Sequence, residues 1–74
     1  MKTTTLSVVL NPEADGYVSL CPELDIASQG ETVEQALANL KEALEGFFET
    51  ASAEEVRTRR KQPALFTCIE VDCA

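Results

Sequence analysis

One long amphipathic helix stands alone in this chain, and the rest of the sequence has to supply a surface that covers its single apolar stripe. Thr32-Val33-Glu34-Gln35 is a capping box: the Thr32 hydroxyl accepts from the Gln35 amide while Gln35 reaches back to the cap, so a helix is expected to begin at Val33. Val33, Ala36, Leu37, Leu40, Ala43, Leu44 and Phe47 recur at spacings of three and four, which draws one stripe along about four to five turns. Glu34, Asn39, Lys41, Glu42, Glu45 and Glu49 lie off that stripe. Gly46 costs about 1 kcal/mol of helicity relative to alanine and is expected to let Phe47 and Phe48 approach another backbone. Phe48 points about 100° from the stripe, which places it under the following connection or in an interface.

The cover is read from strand patterns. Thr3 to Leu10 alternates, with Leu6, Val8 and Leu10 on one side and Thr5, Ser7 and Val9 on the other. The proline, carboxylates and glycine of Asn11-Pro12-Glu13-Ala14-Asp15-Gly16 read as a turn that does not continue a ladder. Tyr17 to Cys21 is expected to be the hairpin partner, ended by Pro22, and a short third strand follows around Ile26 to Gln29 before Gly30. Ser52-Ala53-Glu54-Glu55 is a second capping box, opening a short helix that runs into Arg57-Thr58-Arg59-Arg60-Lys61 and stops before Pro63. Ala64 to Val71 is again strand-like.

These elements give a single α+β domain over residues 1–74, in the order β-β-β-α-(short α)-β. After an antiparallel meander the long helix returns the chain to its starting end, so a right-handed crossover places the last strand beside the first. The expected sheet is four-stranded and mixed, in the order 3-2-1-4, with the helix on one face. The other face is uncovered in a monomer. A chain of 74 residues is near the lower limit for a self-sufficient core, so a homodimer or homotetramer is expected.

Charge narrows the partners. Six Lys and Arg against thirteen Asp and Glu, with no histidine, give −7, which disfavours nucleic acid and anionic membranes and favours a basic partner. Residues 1–56 hold two basic and eleven acidic residues and carry −9. The compensating cluster is Arg57, Arg59, Arg60 and Lys61, read either as a nucleic-acid contact or as charges that complement the helix dipole or a neighbouring subunit. No apolar run approaches the ~18 residues of a membrane span. The start Met1-Lys2-Thr3-Thr4-Thr5 does not resemble a secretory leader, so a cytoplasmic address is expected.

The absence of histidine removes the usual general base and the Ser-His and Cys-His nucleophile pairs. Glu23, Asp25 and Asp15 crowd one region, but a two-metal carboxylate site also needs acids from the first strand, which has none, so they read as turn carboxylates. Cys21, Cys68 and Cys73 lack the paired spacing and fourth ligand of a zinc site. Cys21 and Cys68 are expected to be small buried residues and Cys73 an exposed thiol. No enzyme activity, metal or cofactor is expected.

From Gly16 to Glu45 the chain reads Gly-Tyr-Val-Ser-Leu-Cys-Pro-Glu-Leu-Asp-Ile-Ala-Ser-Gln-Gly-Glu-Thr-Val-Glu-Gln-Ala-Leu-Ala-Asn-Leu-Lys-Glu-Ala-Leu-Glu. This stretch closely resembles the HicB antitoxin family, with its Gly-Tyr strand, Cys-Pro-Glu-Leu, a short strand ending in glycine, and a threonine-capped helix carrying Asn and Glu-Ala-Leu. The resemblance implies a degenerate ribonuclease H-like fold and a role as the antidote of a type II toxin–antitoxin pair. In such a pair the domain masks a HicA-type toxin, a small basic ribonuclease that cleaves mRNA. The C-terminal DNA-binding domain common in that family has no counterpart within these 74 residues, so operator binding is not expected. Glu23, Asp25 and Glu31 from the loops and Glu34, Glu42 and Glu45 from the helix are the expected toxin-facing charges. Tyr17, Cys21, Pro22, Leu24, Gly30, Thr32, Ala36, Asn39 and Leu44 match the family pattern and read mainly as fold determinants. The alternative is an orphan oligomeric domain with an unrelated partner, or weak RNA binding through residues 57–61.

Overall fold

Three strands and two helices make up the protein in a computed structural model that describes residues 3–74. Met1 and Lys2, part of the start that reads in sequence as unlike a secretory leader, lie outside the described residues. The strands are β1 (Val9–Glu13), β2 (Gly16–Cys21) and β3 (Ile26–Gly30), followed by α1 (Val33–Thr50) and α2 (Ala53–Arg59). They pair as an antiparallel meander in the order β1-β2-β3.

The first hairpin lies later in the chain than its sequence suggests, and its first strand is shorter. Its ladder runs through Asn11, Pro12 and Glu13 to close on Gly16, leaving only Ala14 and Asp15 as the turn. Pro12 does not break the ladder because β1 is an edge strand, where a missing amide on the outer side goes unnoticed. Residues 3–8, expected to be strand, precede the ladder without being part of it.

Opposite residues share a face of the sheet, so the register sorts the side chains. Leu10 opposite Ser19, Ser19 opposite Ser28, and Cys21 opposite Ile26 form the helix side. Val9, Leu20 and Ala27, with Val18, form the other. At the centre of β2 the small residues Ser19 and Cys21 face the helix, and Val18 and Leu20 face away. Ser19 is fully buried and donates its hydroxyl to the Ala36 carbonyl at 2.9 Å, which satisfies both groups and sets a close helix–sheet approach. Gly30 belongs to the same contact: a Cβ there would stand 2.5 Å from the Ala36 amide nitrogen. Cys21, Leu24 and Leu40 form the buried cluster, with Leu6, Val8, Ile26, Leu44, Phe47 and Phe48 packed around it.

Both N-caps form, but neither box closes as expected: the Gln35 side chain takes the amide before the cap, and among the described residues no bond returns from the Glu55 side chain to Ser52. Thr32 accepts from the Gln35 amide and Ser52 from the Glu55 amide, each at 3.1 Å, and the Gln35 side chain reaches back to the Glu31 amide. Ala51 ends α1 by donating to the Phe47 carbonyl. A Cβ at Gly46 would meet nothing within 4 Å, so the expected close approach of a second backbone there does not occur among the described residues. Phe48 meets Phe47 edge-on, with ring centroids 5.5 Å apart.

The four-stranded 3-2-1-4 sheet is overturned, and with it the ribonuclease H-like arrangement. Residues 60–74 are in neither helix nor strand, and Leu65, Phe66, Ile69 and Val71 are 94%, 62%, 82% and 71% exposed. Cys68, expected to be buried, is exposed with them. The physical reason is that β-forming composition expresses itself only against a neighbouring strand, and this segment has none.

Candidate functional site

The acids of α1 are placed by the same periodicity that buries its apolar stripe. At about 100° per residue, Glu34, Glu42, Glu45 and Glu49 fall within one sector roughly opposite Ala36 and Leu40. All four are exposed, while Ala36 and Leu40 are buried. Glu49 completes a face that was expected from three residues.

Glu31 stands exposed at the foot of this face, beside a shallow groove open to solvent. The groove is lined by the hairpin turn, the end of β3 and the first turns of α1, and carries Glu13, Asp15 and Glu31. Asn39 donates to the Gln29 carbonyl at 2.7 Å on its helix wall. Glu13 and Asp15 read in sequence as turn residues, and only the folding of the hairpin against the helix brings them next to Glu31.

Glu23 goes elsewhere. It is buried, and its carboxylate accepts from the amides of Ser7 (3.1 Å) and Ala64 (3.3 Å) and from the Cys21 thiol (3.5 Å). Its own carbonyl accepts from the Lys61 amide at 2.8 Å. The Ser7 side chain, helped by these amides, holds the carboxyl down to about 2 against the opposing effect of burial. Burial pushes the Cys21 thiol up, which keeps it a hydrogen-bond donor. Glu23 is an internal clasp joining Ser7, the β2–β3 loop and the residues that follow α2, so it takes no part in the exposed acidic surface. Asp25, next in that loop, is exposed with a left-handed backbone (φ 56°).

The basic cluster is divided as well. The Arg59 guanidinium donates to the Leu24 carbonyl at 2.7 Å and lies 5.3 Å from the centre of the Phe47 ring. Arg60 donates to the Thr4 hydroxyl at 2.9 Å. All four residues are exposed, and what divides them is that only the Arg59 and Arg60 side chains have hydrogen-bond partners among the described residues. Among the described residues no group of three or more His, Cys, Asp or Glu comes together in a form that could hold a metal ion. No helix among them is long and apolar enough to cross a membrane.

Residues matching the family pattern have visible structural tasks. Cys21, Leu24 and Ala36 are buried, Thr32 caps α1, Asn39 ties α1 to β3, and Gly30 admits the helix.

No family model matches the chain, and no solved structure does. A UPF0150 protein of Helicobacter pylori strain J99 is 31% identical over 67 residues, covering 89% of this chain and 93% of that protein. An alignment of that extent spans most of the chain, and on it the chain belongs to the UPF0150 family.

Proposed function

We propose that this protein is a non-catalytic binding domain that presents the outer face of α1 to a small basic ribonuclease and masks it, as an antitoxin does. The observation that supports this reading is the segregation of charge. Glu34, Glu42, Glu45 and Glu49 form one exposed acidic face, whereas Arg59, though exposed, has its guanidinium engaged by the Leu24 and Asp25 carbonyls. Carboxylates arrayed in this way stand where RNA phosphates would stand on the ribonuclease, and complementary fields speed the encounter. The HicB resemblance of residues 16–45 supplies the class of partner, a HicA-type toxin.

Co-expression tests the pairing. Cells carrying a HicA-type toxin are expected to resume growth when this protein is present, and continued arrest with the protein soluble would rule the pairing out. Direct RNA binding is the weaker reading, because Arg59 and Arg60 already donate within the chain. Titration with labelled RNA at low salt checks it: salt-sensitive binding would revive it.

A further inference from the structure

We propose that residues 64–71 act as an intermolecular strand, added to the free edge of β1 in a second copy of this chain. Three observations on the same molecule carry this, none of which depends on the toxin reading.

The first is the segment itself. Ala64 is held at the root by Glu23, but beyond it Leu65, Phe66, Ile69 and Val71 stand in solvent. The chain measures 51 × 28 × 19 Å, with a radius of gyration of 14.7 Å, whereas a compact chain of this length has about 11 Å. An apolar strand-patterned segment left in this state is a template for pairing.

The second is the edge that would receive it. A two-residue turn is closed by a hydrogen-bonded pair, here Glu13 and Gly16, so Asn11 and Val9 also bond inward to β2. The Ser7 amide, which donates to Glu23, continues this alternation. The Leu10 amide is therefore directed outward from the ladder, and the same alternation carried through Ser7 would turn the Val8 and Leu6 amides outward as well. Pro12, at the other end of the edge, has no amide and blunts it. The open stretch is Leu6 to Leu10, and Leu6 and Val8 already pack on the core.

The third is reciprocity. Each copy carries one unpaired strand and one open edge, so two copies satisfy each other through the same contact made twice, the defining property of a twofold interface. Arg57 and Lys61, exposed near the root of the segment, would then lie close to a neighbour whose residues 1–56 carry −9.

The native thiols allow a direct test. Cys21 is buried and Cys68 exposed, so in a Cys73→Ser chain a nitroxide can be attached at Cys68. This spin-labelled protein, at natural isotope abundance, is mixed with unlabelled ¹⁵N protein. The expected result is a dimer by light scattering, with loss of the Leu6, Val8 and Leu10 amide signals in the ¹⁵N copy. A monomer at all concentrations, or a dimer in which signals elsewhere are lost instead, would overturn the proposal. A Leu65→Asp/Ile69→Asp variant gives an independent check on the full-length chain. Conversion to a folded monomer, or loss of folding, supports the contact, and an unchanged dimer contradicts it.

Discussion

The chain is divided at Ala64 into a body whose polar groups are almost all spoken for and a segment whose apolar side chains are not. In the body, even the awkward groups have partners: Ser19 has the Ala36 carbonyl, Glu23 has two amides and a thiol, and Arg59 has the Leu24 carbonyl and a Phe47 ring. Beyond Ala64 lie four large hydrophobic residues, each more than half exposed. Both regions have globular composition, so the difference arises from neighbours. The body is complete because α1 and the sheet cover each other on one side, and the segment is incomplete because it pairs with no strand among the described residues.

The contrast is broken most severely from within the body. Leu40→Ala removes a side chain that is 1% exposed and is expected to cost about 2–5 kcal/mol in chemical denaturation. In the dilute monomer, Leu65→Ala, at a site 94% exposed, is expected to change stability by no more than about 0.5 kcal/mol. Equal losses at the two sites would erase the distinction.

Glu23 lies on the boundary itself. Glu23→Ala leaves the Ser7 and Ala64 amides without their acceptor and is expected to cost about 1–3 kcal/mol for each group left unpaired. The carboxyl lies at about 2 in the folded chain and at an ordinary 4.5 when unfolded. Its contribution is therefore fully present above pH 4.5 and is lost as pH falls from 4.5 toward 2, because the unfolded state takes up the proton first. Acid titration of stability is expected to show this decline in the native chain and a shallower one in Glu23→Gln.

Gly30→Ala sharpens the account of helix placement. An added methyl group would meet the Ala36 amide, and the expected cost is about 1–3 kcal/mol. Gly46→Ala is the mildest change and has the opposite sign. With nothing near it, the substitution is expected to stabilise α1 by about 0.5–1 kcal/mol, seen as a raised Tm.

Much of the body is legible in the sequence because its signals are local. The Thr32 and Ser52 caps and the apolar spacing of α1 are each decided within one or two helical turns. The strands are less so. Alternation in Tyr17 to Cys21 separates two sides but does not say which meets the helix, and the helix lies on Ser19 and Cys21 while Val18 and Leu20 face away. A buried serine is affordable only because a helix carbonyl comes within reach, a fact of packing. Pro12 looks like a breaker until its strand is known to be an edge. Residues 64–71 have strand composition, yet no property of those residues states whether a neighbouring strand is present.

The candidate surface divides in the same way. Glu34, Glu42 and Glu45 follow from helical spacing, and Glu49 belongs to the same sector. Glu23 sits in a loop, where no periodicity distinguishes a solvated carboxylate from a buried clasp. Glu13 and Asp15 join the surface only through the hairpin's position beside Glu31.

The central claim is that the outer face of α1 is the working surface, and charge reversal tests it most directly. Titration of a basic HicA-type toxin with the native chain and with Glu34→Lys/Glu42→Lys/Glu45→Lys compares their Kd, with circular dichroism to confirm that both fold. A loss of at least about 100-fold is expected, since close charge pairs across an interface are worth about 1.5 kcal/mol or more each. An unchanged Kd with a folded variant would contradict the account.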